Sequence, residues 1–384
     1  MLTKDGCTQR VANFWNRVPA EFSWALIGDP RHVQYFCDFR PNPISFSADQ
    51  KSLLLLEREG GATLLADNFT RRTAITDPHV SREIVVPWYT HKKSVINRDH
   101  ALAIALDEVS DVWTSDKGLV EGEGVSFALA DHLRPHMQTD FAVDGASLSV
   151  GSLIRDLRRC KLADEVALLK TCMRAGAAGH AAAFAATAAG QTELDVYLAI
   201  QQACQREVGT AAIVYGDFRS TNAQRHKAGG LPTDNVLQDG DLLILDFSVI
   251  VDGYRSDFTN TIAVGTPSEA QIKQFEACAA ALSAAAAVLK AGARGADVYE
   301  AASCQFLDRG YPALAHHCGH GLGMEHPEPP ILVPESTDVL RAGDVVTIEP
   351  GLYVEGVGGM RFEHNYLVTE SGAEQLSAHR IALV

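Results

Sequence analysis

Residues 241–264 read DLLILDFSVIVDGYRSDFTNTIAV. Two apolar, strand-like runs flank Asp252-Gly253, a dipeptide that favours a two-residue hairpin turn. A turn there makes Asp241–Val249 and Ser256–Val264 antiparallel partners, with Asp246 opposite Thr259. Asp257 lies two positions from Thr259, so the two aspartates are diagonal neighbours on one face.

A second hairpin repeats the device. Residues 344–369, DVVTIEPGLYVEGVGGMRFEHNYLVT, give strands Asp344–Val354 and Met360–Thr369 around Glu355–Gly359. With the turn centred on Gly356, Glu349 faces Glu363, although like charges across a strand pair are normally destabilising. Between the hairpins lies HHCGHGLGMEH (316–326), which holds four of the fourteen histidines. Glycines beside His320 let the backbone approach closely. Asp246, Asp257, His320, Glu349 and Glu363 thus form a hard, oxygen-rich set with about four negative charges. Such a set persists around cations. Two divalent ions held by shared carboxylates turn water into a nucleophile at neutral pH.

Outward from the hairpins, helices are expected at Leu162–Ala189, from Thr192 to Val208, at 269–290 and at 296–309. The order helices, hairpin, helices, hairpin hints at an internal pseudo-repeat. Residues 1–140 alternate strands and helices: buried strands are expected at Phe22–Ile27, Ser52–Leu56, Ile84–Pro87 and Val125–Ala130, and a helix at His100–Glu108. Gly122-Glu-Gly124 half-matches a dinucleotide fingerprint but lacks its third glycine. A helical connector around 141–165 separates the halves.

The 384 residues suit two domains, or three. With 46% hydrophobic and 21% charged residues the composition is that of a packed chain. A net charge of −15 argues against nucleic-acid and anionic-lipid partners. No apolar stretch of signal-peptide length opens the sequence, and no run of about 18 apolar residues occurs. Eight cysteines without a CxxC pair fit free thiols in a reducing cytoplasm. Cys318, between His317 and Gly319, is a candidate to line the pocket, although its burial preference favours a small residue packing beneath a strand. Neither GxSxG nor HExxH occurs.

Leu245-Asp246 with Arg255-Ser-Asp257-Phe-Thr259, His320-Gly-Leu-Gly-Met, Thr347-Ile-Glu349-Pro-Gly and Arg361-Phe-Glu363 resemble the motifs of the pita-bread metallopeptidases. That family includes Xaa-Pro aminopeptidase, prolidase, methionine aminopeptidase and the related creatinase. The resemblance implies a two-domain α/β chain: a creatinase/prolidase-like α/β domain at 1–150 and a pseudo-two-fold α+β catalytic domain at 151–384. It implies that Asp246 binds one metal and that Asp257 and Glu363 bridge two. His320 and Glu349 complete the other, with Glu349 as proton shuttle. Manganese suits the carboxylates, with cobalt, zinc or iron as other occupants. A homodimer is also implied.

Two departures concern the substrate pocket. Prolidase-like members carry a histidine 17 residues before the first metal aspartate, where this chain has Gly229; His226 lies three residues earlier. They carry another seven residues after the metal histidine, where this chain has Pro327, preceded by His326. A one-residue shift turns a strand side chain to the opposite face, unless a bulge restores it. His316 matches a family pocket histidine. His226, His316, His326 and Arg361 are therefore the expected pocket residues, and Arg361 can also pair with nearby carboxylates.

The reading is hydrolysis of a C–N amide bond, with Glu349 carrying the proton and His316 assisting. The substrate is a short peptide with proline after its first residue. The alternative is a small non-peptide amide or amidine, as in creatinase or ectoine hydrolase. A non-catalytic binder would be expected to have lost the ligand set.

Overall fold

The apolar runs of the N-terminal part assemble into one mixed sheet in the computed structural model, which describes residues 1–41, 51–94, 97–115, 117–133, 136–143 and 146–384. Its strands are β1 (Trp24–Ile27), β2 (Ser52–Glu57), β3 (Gly61–Asp67), β4 (Arg82–Val86), β5 (Gly118–Val120) and β6 (Met137–Gln138), in the order β4-β3-β2-β1-β5-β6. β7 (Asp140–Val143) and β8 (Ala146–Ser149) form a separate hairpin. The helices are α1 (Lys4–Arg17), α2 (Pro30–Cys37), α3 (Asn68–Arg72), α4 (Arg98–Asp107), α5 (Ser110–Ser115), α6 (Phe127–His132) and α7 (Val150–Leu157). Trp24, Leu53, Leu55 and Leu65 pack with Leu102 and Leu106 of α4 in this unit's core. Contacts divide the chain into Met1–Arg158 and Arg159–Val384.

The strand expected at Val125–Ala130 is instead a turn and α6. The Ser126 hydroxyl caps that helix, accepting from Leu129 N–H at 3.5 Å. Gly122-Glu-Gly124 cradles no phosphate in this fold. A Cβ on Gly124 would lie 2.2 Å from the backbone nitrogen of Asp29, and the buried Glu121 carboxylate accepts from Gly28 and Asp29 N–H at 2.8 Å. The glycine serves close packing, and a carboxylate already occupies the start of α2.

The second unit begins with α8 (Ala163–Ala186) and α9 (Glu193–Val208). Thr192 and Asp195 form a capping box on α9, which ends at left-handed Gly209 (φ 77°). Gly176 lets α8 lie close on the following sheet, where a Cβ would fall 2.5 Å from the Phe258 ring, and Gly179 lets it approach α9, where a Cβ would fall 2.7 Å from Cys204 Sγ. That sheet holds β9 (Ile213–Thr221), β10 (Leu242–Val251), β11 (Tyr254–Arg255) and β12 (Phe258–Ala263), with β10 central. Asp252 and Gly253 both have positive φ (51° and 79°), as the expected turn demands, and Asp246 pairs with Thr259.

Next come α10 (Glu269–Ala287) and α11 (Gly295–Leu307). A five-stranded sheet follows in the order β14-β13-β15-β18-β19, from β13 (Gly319–Gly321), β14 (Glu328–Leu332), β15 (Val345–Ile348), β18 (His364–Val368) and β19 (Ala373–Gln375). β16 (Gly351–Val354) and β17 (Gly358–Arg361) pair apart from it. Ala277, Cys278, Ala281 and Leu282 of α10 pack with Val346 and Ile348 of β15 and with Cys318, giving the unit its core.

The second hairpin keeps its expected register, with Ile348 opposite His364 and Gly351 opposite Arg361. It is broken between those pairs, where Pro350 can donate no ladder bond. Glu349 N–H turns to Cys318 O (2.8 Å) and Glu363 N–H to Thr259 O (3.0 Å). The break thus ties the second hairpin to the first at the acidic residues. Among the described residues no helix is long and apolar enough to cross a membrane.

Candidate metal centre

The backbone bond from Glu363 to Thr259 brings the two hairpins' carboxylates together. Asp246, Glu349 and Glu363 form one cluster, and Asp257, His320 and His326 another; in each, the ligand atoms lie within 4.8 Å of one another. The residues expected as ligands therefore converge. Thr259 supports the set from below: its hydroxyl donates to Glu363 Oε2 at 2.8 Å.

Glu363 Oε1 is buried and has no hydrogen-bond partner. Burial, and then the charges of Asp257, Glu349 and Asp246, push the Glu363 carboxyl well above the carboxylate range. Burial raises Asp246 as well, and Arg361 opposes the rise. Burial also acts to raise Glu349, but the hydrogen bond from His317 and the charges of His320 and Arg361 outweigh it and hold Glu349 well below the usual range.

The side chains around the carboxylates fix their orientation. Asp257 Oδ1 accepts from Ser248 Oγ at 3.3 Å, and Arg255 Nη2 donates to that hydroxyl at 2.7 Å. The Asn365 amide bonds the Asp257 carbonyl and its Oδ1 accepts from Asp257 N–H. His320 Nδ1 lies 2.8 Å from Gly321 O, an acceptor, so Nδ1 bears a hydrogen and Nε2 is the ring atom turned to the carboxylates. The Nε2 atom is 3.3 Å from Glu349 Oε1 and 3.6 Å from Asp257 Oδ2.

The expected pocket residues fall into three groups. Arg361 and His316 line a cavity of about 400 Å³ with Tyr353, Ala315, Lys227 and Gly229. Arg361 is also a counter-charge: its guanidinium rests on Asp246, reaches Asp217 at 3.3 Å and donates to Tyr353 Oη at 2.8 Å. His326 faces the carboxylates, with Nε2 2.8 Å from Asp257 Oδ2. The strand register slips between His320 and Gly321, as a bulge would, and His326 precedes β14 on that slipped pairing. His226 is neither a lining residue of the cavity nor a member of the clusters; its carbonyl packs against Gly359, where a Cβ would come within 2.4 Å.

Three further residues join the site without a clear signal in the sequence. Asp217 stands opposite Asp246 on β9, a strand that the hydrophobic pattern does not announce. His317 places Nε2 3.1 Å from Glu349 Oε1. Tyr353 Oη accepts from Arg361 and sits 3.3 Å from His316 Nε2. The doubled histidine at 316–317 was the one available signal. Cys318 is buried, and burial pushes its thiol far up, which suits packing and not reactivity.

A model of metallopeptidase family M24 matches residues 167–370. The chain is 28% identical over 229 residues to an Xaa-Pro dipeptidase of Pyrococcus furiosus, covering 59% of this chain and 66% of that protein. It is 31% identical over 234 residues to an Xaa-Pro dipeptidase of Pyrococcus horikoshii, covering 59% and 65%. The matches thus span slightly less than two thirds of these curated relatives. The solved structure of an Xaa-Pro dipeptidase from Bacillus anthracis superposes with a TM-score of 0.77 at 21% identity, covering 100% of this chain and 99% of that one. At that identity the likeness is one of fold, a mixed α/β chain whose C-terminal unit is of the pita-bread type.

Proposed function

The chain belongs to metallopeptidase family M24, and from that premise we propose that it hydrolyses the C–N amide bond of short peptides bearing proline after the first residue. The observation that carries the reading is Glu363 Oε1, a buried carboxylate oxygen without a partner among three further carboxylates. Buried beside those charges, Glu363 is costly to ionise alone, and a divalent cation bound by oxygen donors supplies the partner that lets it do so. Asp246, Asp257, His320, Glu349 and Glu363 would hold two such ions, manganese suiting the carboxylates. When bound, the ions supply Lewis acidity to the scissile carbonyl and make water a nucleophile at neutral pH.

The protein's own groups handle the proton and the substrate. Glu349, poised between Thr347 Oγ1 and His317 Nε2 (both 3.1 Å), takes a proton from the attacking water and passes it to the leaving nitrogen. A relay orients the pocket wall: Arg361 donates to Tyr353 Oη, and Tyr353 can donate to His316 Nε2 because His316 Nδ1 faces His317 O at 2.8 Å. Burial lowers His316, which keeps it neutral as an acceptor. Lys227 supplies positive charge to the cavity for a substrate carboxylate, and Arg361, shared between Asp217 and Asp246, forms its wall.

One observation favours a second reading, a small non-peptide amide or amidine. Position 229 offers no imidazole, and a Cβ there would sit 3.0 Å from Asp217 Oδ2, so the pocket wall is built around a glycine. Turnover of Xaa-Pro dipeptides and longer Xaa-Pro peptides by manganese-loaded protein tests the proposal. Metal retention with no turnover of either peptide class selects the second reading.

A further inference from the structure

We propose that His326 is a sixth metal-ligating side chain, which makes one of the two ion positions a site of two imidazoles. The inference rests on the metal reading above and adds a ligand to it. His326 Nε2 lies 2.8 Å from Asp257 Oδ2, and His320 Nε2 lies 3.6 Å from the same oxygen. The two rings meet edge to face with centroids 4.7 Å apart. Nitrogen and oxygen ligands sit about 2.0–2.2 Å from a first-row cation, so adjacent donors around it are roughly 3.0–3.4 Å apart. The two observed spacings bracket that range.

The surroundings present these atoms together. Asp257 Oδ1 is engaged by Ser248, which leaves Oδ2 to the two histidines. The Gly321 carbonyl holds the His320 tautomer that frees Nε2. His326 is held in register by Glu328, two residues on, whose carboxylate pairs with buried Lys161 at 2.6 Å. His326 is 40% exposed where Asp257 is 6% exposed, so it closes the site from its open side. Two imidazoles with carboxylates favour zinc, cobalt or iron at this position over the harder magnesium or manganese.

Chelated protein titrated with cobalt(II) and zinc(II) tests this, followed by calorimetry and by the visible absorption of bound cobalt. Wild type is expected to take two ions. His326→Gln is expected to lose at least about tenfold in affinity at one position, a loss that even outer partners of a ligand can cause. Its cobalt spectrum should change, and His326→Asp, which supplies a new ligand, should recover affinity. A half-exposed position allows these variants to fold, and their urea midpoints check it. Equal affinities and spectra in wild type and His326→Gln overturn this proposal and leave the metal reading standing. A wild-type chain that takes up no ion overturns both.

Discussion

Asp217 and Asp246 stand directly opposite one another on β9 and β10, and the guanidinium of Arg361 reaches both. Carboxylates facing each other across an antiparallel pair repel, so Arg361 is the fixed charge that holds this corner together before any ion binds. Replacing it leaves two acids uncompensated, and breaking a buried pair costs about 3–5 kcal/mol. Arg361→Ala in chelator is therefore expected to lose about 3 kcal/mol in urea denaturation. Arg361→Lys is expected to recover less than half, because one ammonium cannot span Asp217, Asp246 and Tyr353. Wild-type stability in Arg361→Ala would remove Arg361 from this role.

Gly229 occupies the place of a histidine in prolidase-like chains, yet reinstating that histidine should not improve peptide turnover. Asp217 Oδ1 accepts from Gly230 N–H at 2.6 Å, and a side chain at 229 would press on Oδ2. Gly229→His is expected to push Asp217 away from Gly230 and Arg361 and to lower kcat/KM on Xaa-Pro dipeptides by about tenfold, a barrier change of about 1.4 kcal/mol. A gain in kcat/KM would mean that the wall tolerates the imidazole and that Asp217 does not shape it.

Both hairpin registers were legible because short turns with glycine fix pairing one residue at a time. The four candidate carboxylate ligands follow from those registers, and His320 from the histidine-rich segment between the hairpins. What stayed hidden depended on the meeting of distant segments. β9 is not legible in the sequence because Gly216 interrupts its apolar pattern; a Cβ there would fall 2.1 Å from Asp246 O, a requirement only the folded sheet imposes. Asp217, on that strand, is hidden for the same reason. The break at Glu349 and Glu363 is local in origin, at Pro350, but the bond from Glu363 to Thr259 that gives it purpose spans two hairpins. His326 sits one residue from the family position, and the slipped register beside His320 accounts for its facing the carboxylates.

Glu363→Gln should separate stability from metal binding. A glutamine keeps an oxygen for the Thr259 hydroxyl and turns an NH₂ toward the neighbouring carboxylates, which removes an unpartnered buried oxygen. In chelator the variant is expected to be more stable than wild type by about 1 kcal/mol. With ions at a hundred times their dissociation constant, wild type gains about 2.7 kcal/mol per ion, and the variant should gain less than half as much. Peptide turnover should fall at least about a hundredfold, the smaller end of what a lost catalytic group costs. Equal ion-induced gains in the two proteins would separate Glu363 from the metal.

Acid should weaken the second unit through a buried histidine stack. His180 of α8 lies between Phe247 and Phe258, with ring centroids 4.6 and 5.3 Å away, and His379 stacks on it at 4.7 Å. Its Nε2 is 3.2 Å from Phe258 O, and burial lowers its pKa to about 3. Burial also lowers His364, to about 4, and takes His379 well below its ordinary value. An unfolded histidine takes its proton near pH 6.5, so between that value and about 3 the unfolded chain binds a proton that folded His180 refuses. The stabilisation is full above pH 6.5 and is lost as the pH falls toward the folded values, at up to about 1.4 kcal/mol per pH unit for each such histidine. Urea midpoints in chelator should therefore drop steeply from pH 6.5 to 4.5. His180→Phe keeps the stack but removes the titrating group, so its midpoint should start lower at pH 7, for want of a donor to Phe258 O, and fall less steeply. Parallel curves for the two proteins would assign the acid sensitivity to other groups.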